Sequence, residues 1–484
     1  MIPYKYFSLS AFLTLSLLLS GCGIYGRYER PKELQVPDSI IGATMAQSDT
    51  VTIGRIPWRQ FFGDPLLRDL IDSALVRNTD LKIAALNVEK ANAGLLMSGL
   101  SFAPDLGFAP SISRSKNSLS GWAKENTYTL PIAASWELDI SGRMLNGYRG
   151  AEASLRQAQD FQRLTRANII AAVANTYYSL QMLDRQLFVA RDAKKVMDET
   201  AKTMEILLQA GRMTGAAVAQ AKAQAKLTQI TINDLESQIV AAENGMRLLL
   251  MDPGLVIPRS DGEYPVPFED KLKVGIPIQL LSNRPDVRAA EDALMSATYG
   301  TQAARGNFLP SLTLSASGTW LNKLGEVVVD PMAFVTNLAA NLFQPIFQKG
   351  RNIAQLKIAK ANQEQALLEY ERTILSASHE VSNYLAQYLS LAHDKVLGLE
   401  EIELRIQAEK QTLELMALSN INYLEVLTAQ SQRLNAQLGG VIGEFQRTQA
   451  LINLWKALGG GWDDSTEEAS IDWDATPVQT YKKR

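Results

Sequence analysis

The 484-residue chain contains a single cysteine, Cys22, directly behind an apolar segment in the string Leu19-Ser20-Gly21-Cys22. Small residues just before the thiol are suited to peptide cleavage at that point. Lys5 places a positive charge ahead of the apolar segment from Phe7 to Leu19. That segment has about 13 residues, whereas a membrane-spanning helix needs ~20. The pattern predicts an export signal over residues 1–21, with the thiol at the new N-terminus.

The string around Cys22 resembles a bacterial lipobox, in which the cysteine is acylated after cleavage. The alternative is an ordinary signal peptide with a cysteine nearby. We favour lipid attachment at Cys22, because the chain uses no cysteine anywhere else. Two or more acyl chains would hold the mature protein stably at a membrane. Residues 22–56 are then expected to form a lipid-anchored linker.

Composition and motifs exclude several classes of function. The chain has 48 basic and 51 acidic residues, a balance that gives no indication of nucleic-acid binding. A lone cysteine excludes a disulfide framework and a multi-thiolate metal site. His379 and His393 lie about 21 Å apart along one predicted helix, too far to share a metal. Phosphate-loop, nucleophile-elbow and zinc-protease motifs are missing from the sequence, so we expect no cofactor, no metal and no enzyme activity.

The two halves of the chain align as a repeat. Pro104 corresponds to Pro310 at an offset of 206, and Gly142-Arg143 corresponds to Gly350-Arg351 at an offset of 208. The change of offset from 206 to 208 falls between Pro104 and Gly142, where a hairpin tip would tolerate an insertion. We assign repeat 1 to residues 57–261, repeat 2 to residues 262–462 and a polar tail to residues 463–484.

Each repeat is predicted to run helix, strand, strand, very long helix, helix. Strands are expected near residues 105–140 and 311–345, where apolar and polar side chains alternate with a period of two. Segments of about 10 alternating residues with aromatic residues near their ends fit transmembrane strands. Periodicity alone leaves an ordinary soluble sheet equally open.

The need to close a barrel constrains the choice between transmembrane strands and a soluble sheet. Four strands leave two unpaired edges, and each unsatisfied backbone group in hydrocarbon costs several kcal/mol. Bacterial barrels have at least eight strands. If these strands enter a membrane, the protein must therefore be an oligomer.

The long helices are predicted near residues 143–209 and 351–417, each about 67 residues or roughly 100 Å. The shorter helices carry heptad seams with alternating spacings of four and three residues. These seams are Leu235, Ile239, Ala242, Met246 and Leu249, then Leu434, Leu438, Val441, Phe445, Thr448, Ile452 and Trp455. A hollow wall of helices and a solid coiled coil both fit this spacing.

Four ordered segments carry a family resemblance across the mature chain. They are Trp58 to Leu81, Trp136-Glu137-Leu138-Asp139-Ile140 with Gly142-Arg143, Arg284-Pro285-Asp286-Val287 with Phe308-Leu309-Pro310, and Leu454 to Trp462. Together they resemble the TolC-type outer-membrane efflux proteins, in the lipoprotein (NodT-like) branch paired with resistance-nodulation-division pumps.

The resemblance implies a mainly α fold with a transmembrane β-barrel. It implies a homotrimer with a 12-stranded barrel in the outer membrane, continued by a 12-helix tunnel through the periplasm. It further implies passive conduction of substrates from an inner-membrane resistance-nodulation-division transporter and a periplasmic adaptor to the exterior. The expected location is the outer membrane, lipid-anchored and extending into the periplasm, in contact with outer-membrane lipid and without a nucleic-acid partner.

Two helix–helix turns far from the strands are the candidate functional sites. Their Gly, Ser and Asn residues are also what such turns require structurally. By resemblance they form the periplasmic entrance and meet the adaptor, with contact residues Gly211, Thr214, Gly215, Asn420, Asn422 and Tyr423. The resemblance places an apolar gate residue at Leu424. Thr428 stands where the family often has a carboxylate, and Glu425, one turn earlier, could replace that carboxylate.

Two other functions compete with an efflux channel. A periplasmic coiled-coil scaffold without a pore would explain the helices and the anchor, but has no use for two barrel-length hairpins. A duct for protein secretion would share the same architecture. The sequence does not choose between drugs, metal ions and a secreted protein as cargo.

Overall fold

The computed structural model describes residues 26–31, 54, 56–116, 124–260, 284–323, 334–417 and 422–461. In the first half the elements are α1 (Trp58–Phe61), α2 (Pro65–Arg77), α3 (Thr79–Leu100), β1 (Asp105–Phe108), β2 (Ser111–Lys116), β3 (Lys124–Leu138), α4 (Arg143–Gln209) and α5 (Gly215–Leu250). In the second half they are α6 (Pro285–Gly306), β4 (Ser311–Lys323), β5 (Phe334–Phe343), α7 (Arg351–Ala417) and α8 (Tyr423–Ala457).

The predicted order of helix, strands, long helix and helix is confirmed and occurs twice. Two details differ from the expected pattern. The opening helix of repeat 1 is divided at Asn78 into α2 and α3, and its first strand is two short strands separated by Ala109 and Pro110. Both β1 and β2 pair with β3. Pro110 has no backbone N–H to donate to a ladder and lies at the break, whereas β3 continues through Pro131, which pairs with Thr319.

The sheet is antiparallel, in the order β1–β3–β4–β5, and β2 extends the β1 edge. Its register pairs Ile132 with Gly318 and Ala316 with Leu338. Because paired residues share a face, the register produces one apolar face and one face rich in hydroxyl and amide groups. The apolar face carries Leu106, Phe108, Ile112, Leu130, Ile132, Ala134, Trp136, Leu138, Leu312, Leu314, Ala316, Trp320, Phe334, Leu338 and Leu342, and the polar face carries Ser111, Ser113, Thr129, Ser135, Ser311, Thr313, Ser315, Ser317, Thr319, Asn337 and Asn341.

The apolar face of the sheet is exposed within one chain. Leu106 and Leu338 are 78% and 84% exposed, and Ile112 is 77% exposed. Such a large uncovered apolar surface identifies a region that contacts lipid or another protein. Gly318 also lies on this face. A Cβ atom added to Gly318 would lie 2.6 Å from the ring of Phe334, so the Phe334 ring covers the space above this glycine.

The chain divides into two compact units. The first, the sheet unit, contains the described parts of residues 1–36, 85–161 and 288–373, including all strands. The second, the helical unit, contains the described parts of 37–84, 162–287 and 374–484. Within the described chain no helix is long and apolar enough to cross a membrane.

An aromatic cluster forms part of the core of the helical unit. The Phe61 ring stacks on Trp455 at 4.9 Å, and Phe62 meets Trp455 edge-on at 5.8 Å. The Trp455 indole N–H donates to the carbonyl oxygen of Ile56. Gly460 lies against the same indole, where a Cβ atom would approach ring atoms to 2.3 Å, so a side chain cannot fit. This contact explains the glycine at position 460.

The predicted heptad seams on α5 and α8 are buried at five positions and half-buried at the other seven. Leu235 and Met246 are buried on α5, while Leu434, Ile452 and Trp455 are buried on α8. Leu235 packs in a cluster with Leu183, Ala190 and Ile232, which joins α5 to α4. The seam residues therefore hold the shorter helices to the long ones.

Candidate functional site

We name the two helix–helix turns the tip turns. The first tip turn joins α4 to α5 through Gly211. The backbone N–H of Arg212 donates to Leu207 O and that of Gly211 to Leu208 O, which is the Schellman pattern of helix termination. Gly211 has φ +71°, in the left-handed region that favours glycine. Thr214 then caps α5 by accepting a hydrogen bond from the backbone N–H of Ala217, and Gly215 is the first helical residue.

The second tip turn is described from Asn422 onward, and Asn420 lies outside the described residues. The Asn422 side chain accepts a hydrogen bond from the backbone N–H of Leu424 and caps α8. Tyr423 packs against a buried cluster formed by Ala201, Met204, Val218, Ala221 and Leu427. Asn422 thus caps the start of α8. We name the buried cluster the tip core, and Tyr423 packs against it.

Leu424, Glu425 and Thr428 are all exposed on the first turns of α8. Leu424 is 51% exposed, whereas Leu427 is only 8% exposed and belongs to the buried cluster. Leu424, Leu427 and Thr428 line a cleft of about 460 Å³ together with Gln220, Ala223, Gln224, Leu227, Ser431 and Gln432. The Thr428 hydroxyl donates to the carbonyl oxygen of Leu424 at 2.7 Å, so it is held against its own helix.

Sequence reasoning missed a charged contact next to this cleft. Glu409 on α7 is 4% exposed, and its carboxylate accepts from Arg433 on α8 at 2.5 Å. Arg433 also lies 3.8 Å from Asp192 on α4. This arginine links three helices of the helical unit. No local motif marks these residues, since they are 24 and 241 positions apart along the chain.

The family signature at Arg284 has a structural role. Its guanidinium binds both carboxylate oxygens of Asp286, at 3.0 and 2.6 Å, and Glu380 at 2.9 Å. It also donates to the carbonyl oxygen of Ala457 at the end of α8. Burial acts to lower the pKa of Arg284, but its hydrogen bonds and ion pairs with Asp286 and Glu380 outweigh burial and raise the pKa.

The polar face of the sheet ends in a charge pair at its junction with α4. Glu137 accepts a hydrogen bond from Arg143 at 2.7 Å. Along this face the Ser111 and Thr129 hydroxyls are 2.7 Å apart across the β2–β3 pair. The face therefore offers hydrogen-bonding groups over most of its length, with charges near the helical end.

Histidines and acidic residues give no metal centre in the described part of the chain. His379 and His393 are both exposed on α7. No group of three or more His, Cys, Asp or Glu side chains among the described residues could hold an ion. Cys22 lies outside the described residues, which begin at Gly26.

A sheet with an exposed apolar face and a hydroxyl-rich face, joined in duplicate to very long helices, is the architecture of an outer-membrane channel protein. The chain belongs to the outer membrane efflux protein family, which matches residues 70–250 and 276–460. It is an outer-membrane efflux channel. The order of the four signature segments in the sequence agrees with this assignment.

Named relatives match nearly the whole chain. Cation efflux system protein CusC of Escherichia coli O6:H1 is 29% identical, covering 93% of this chain and 97% of that protein. Probable outer membrane lipoprotein SilC of Salmonella typhimurium is 30% identical, covering 92% and 97%. Toluene efflux pump outer membrane protein TtgC of Pseudomonas putida is 29% identical, covering 96% and 97%.

Solved structures agree with the fold. A crystal structure of CusC superposes with a TM-score of 0.82 at 28% identity, covering 90% of this chain and 99% of that one. A membrane protein from Pseudomonas aeruginosa gives a TM-score of 0.83 at 26% identity, covering 90% and 100%. The family is that of outer membrane efflux proteins, and two of these relatives, CusC and TtgC, are named for efflux.

Proposed function

We propose that three copies of this chain form one channel, with a shared 12-stranded barrel in the outer membrane and a 12-helix tunnel in the periplasm. The observation that carries this proposal is the sheet. In the described part of the chain, β1 and β2 pair only with β3, and β5 pairs only with β4. Both edges thus lack a partner strand, and a lipid-exposed edge is too costly to leave open.

The two faces of the sheet indicate which side of the barrel contacts lipid and which side lines the lumen. The apolar face, with Leu338 84% exposed, suits contact with lipid. The polar face then lines the lumen, where Ser, Thr and Asn groups can hydrogen-bond with water. Alternating outward apolar and inward polar residues are the pattern of barrels that enclose a channel.

The pump partners are an inner-membrane resistance-nodulation-division transporter and a periplasmic adaptor. Support comes from the family and from relatives named as outer-membrane components of efflux pumps. The proposed adaptor contacts are the tip residues Gly211, Thr214, Gly215, Asn420, Asn422 and Tyr423. In this role Tyr423 would meet the adaptor through the exposed part of its side chain, while the part that packs on the tip core supports the turn.

The tip also holds the proposed gate. Leu424 is half exposed at the start of α8, in contrast to its buried neighbour Leu427. Three symmetry-related leucines would form an apolar ring that favours drying of the pore. Glu425 supplies the charged component of the gate. Thr428 carries no charge, and its hydroxyl is hydrogen-bonded to its own helix.

The mature N-terminus is proposed to be acylated at Cys22. The sequence around it has the features of a lipobox, and one relative, SilC, is named a probable outer membrane lipoprotein. The anchor keeps the chain at the outer membrane independently of the barrel.

The cargo is proposed to be set mainly by the inner-membrane transporter. Relatives with similar identity are named for cation, toluene and antibiotic efflux. A lumen lined by hydroxyl and amide groups suits such varied cargo, because it offers hydrogen bonds without a dedicated binding site.

The full-length protein purified in detergent tests this proposal. Light scattering with subtraction of detergent is expected to give the mass of three chains, and reconstitution into planar bilayers is expected to give discrete channels. A monodisperse monomer that keeps its β signal would overturn the shared barrel. A trimer without conductance under any condition would instead favour a scaffold without a pore.

A further inference from the structure

Residues 26–31, which we name the strap, lie against the helices of the sheet unit. Arg30 forms two hydrogen bonds with Glu291 on α6, at 2.7 and 2.5 Å. The Tyr28 backbone N–H donates to the Tyr299 hydroxyl, and Arg149 on α4 donates to Gly26 O. The strap is therefore fixed at three points within one unit.

A cleft of about 420 Å³ lies between the strap, α6 and α7. This volume is in the range of ~300–1,000 Å³ that is common for small-molecule sites. Its apolar lining consists of Pro31, Leu294 and Leu367. Its charged groups are the cations of Arg27, Arg305 and Lys360 and the carboxylates of Glu29 and Glu364.

The residues that carry these five charges are all exposed. None of them forms an ion pair with another residue that the structure describes. Unpaired charges of both signs around one cleft suit a ligand that itself carries both signs. A purely anionic ligand would meet Glu29 and Glu364 unfavourably.

The order of the charges along the helices is also specific. Arg305 is the next-to-last residue of α6, close to the start of β4. Lys360 lies about 14 Å along α7 from its first residue, and Glu364 lies one further turn, about 6 Å, away from the sheet. Moving away from the membrane-facing sheet, cations therefore come before the α7 carboxylate.

The strap also follows the anchor closely. Cys22 precedes Gly26 by four residues, which span at most about 14 Å. An acylated Cys22 would hold the strap near the lipid headgroups, a placement that rests on the proposed lipid anchor.

We propose that this cleft binds the headgroup of a zwitterionic phospholipid of the phosphoethanolamine type. Arg305, Lys360 and Arg27 hold the phosphate, and Glu364 and Glu29 accept hydrogen bonds from the ammonium. In such a lipid the ammonium lies beyond the phosphate as seen from the acyl chains. This order matches that of Lys360 and Glu364 along α7.

Native mass spectrometry of the full-length protein tests the site, with dioleoyl phosphatidylethanolamine or dioleoyl phosphatidylglycerol added to delipidated protein. The wild-type protein is expected to retain phosphatidylethanolamine more tightly than phosphatidylglycerol. Arg305→Gln and Lys360→Gln should each weaken retention of both lipids by about fivefold, as expected for one basic side chain beside a charged headgroup. Glu364→Gln should weaken retention of phosphatidylethanolamine and leave phosphatidylglycerol unchanged or tighter.

Lys357→Gln is the matched control, because Lys357 is an exposed cation on the same helix that does not line the cleft. Equal retention of phosphatidylethanolamine by wild type and the Arg305→Gln/Lys360→Gln double variant would overturn the site. Tighter phosphatidylglycerol binding by wild type would overturn the ammonium assignment. Displacement of bound lipid by millimolar inorganic phosphate would instead identify a site for free phosphate and contradict the lipid.

Mass and conductance measured on the same preparations separate this inference from the proposed function. A variant that loses lipid but remains a conducting trimer bears on the cleft alone. Selective lipid retention by a protein that neither conducts nor incorporates label at Cys22 would leave the cleft in place and contradict the proposed function.

Discussion

Asn78 and Arg284 hold equivalent positions in the two repeats, and each donates to the last turn of the helix that closes its repeat. The Asn78 side-chain amide donates to Leu249 O at 2.9 Å, and the Arg284 guanidinium donates to Ala457 O at 2.8 Å. The two acceptors are separated by 208 residues, the offset of the repeat. Carbonyl groups in the last turn of a helix lack partners within the helix, so both contacts satisfy an otherwise orphan acceptor.

The Arg284→Met variant is expected to lower the free energy of unfolding by about 2 kcal/mol, less than a fully buried ion pair because Asp286 and Glu380 are partly exposed. Loss of the guanidinium leaves two carboxylates close together and Ala457 O without this donor. Thermal unfolding followed by circular dichroism measures the effect. Arg59→Met, in an exposed pair with Asp72, is the control and should change stability by under about 1 kcal/mol. Equal effects of both variants would refute the capping role.

Tyr177 donates its hydroxyl proton to Asp64 at 2.6 Å. Burial, assisted by the hydrogen bond to Asp64, raises the pKa of Tyr177 to about 12. Since the unfolded pKa is about 10, the stabilisation from the neutral phenol is complete below pH 10. It is lost as the pH rises from 10 to 12. The wild-type minus Tyr177→Phe absorbance difference should therefore titrate near pH 12.

Tyr177→Phe is also expected to lower the free energy of unfolding by about 1–3 kcal/mol at neutral pH, because Asp64 loses a buried hydrogen-bond donor. A difference titration centred near pH 10 would show that the phenol is not held in this buried contact.

Leu424→Ala is expected to widen the entrance and raise single-channel conductance, and Leu424→Ser should raise it further by wetting the apolar ring. Stability should change little because Leu424 is half exposed. Leu427→Ala is the matched control, since it removes a buried side chain and should cost about 2–5 kcal/mol without a comparable gain in conductance. A destabilised Leu424→Ala variant with wild-type conductance would move the gate elsewhere, beginning with Glu425.

Adjacent residues on β4 test which face meets lipid. Ala316→Arg places a cation on the apolar face and should cost about 2–4 kcal/mol if that face lies in hydrocarbon. Ser317→Arg places it on the polar face and should leave folding intact while changing the ion selectivity of the channel. Folding is followed by the heat-modified gel shift, and selectivity by reversal potential. The opposite ranking of the two variants would reverse the assignment of the faces.

Cys22→Ala is expected to abolish incorporation of labelled palmitate and leave the repeats able to fold. Ser10→Ala, within the apolar segment and away from the cleavage point, should retain the label. Absence of label from the wild type would show that Cys22 is not acylated.

The order of elements, the duplication, the alternating strands and the long helices could all be predicted from the amino-acid sequence. These features follow from periods of 2 and 3.6 residues and from proline and glycine positions, which act over a few neighbouring residues. The register of the sheet was not predicted, although the alternation at residues 311–320 already separates apolar from hydroxyl side chains. The break at Pro110 illustrates the limit, because the alternation continues through Ala109 and Pro110, where the structure ends one strand and begins the next.

The contacts between residues that are distant along the chain could not be predicted in this way. Tyr177 and Asp64 are 113 residues apart, Arg284 and Ala457 are 173 apart, and Arg30 meets Glu291 across 261 residues. Periodicity shows that a helix face is buried but not which polar group faces it, because the partner depends on how whole helices pack. The same limit hid Glu409 and Arg433, while the exposure of Leu424 against the burial of Leu427 was decided by which side of α8 packs against the tip core.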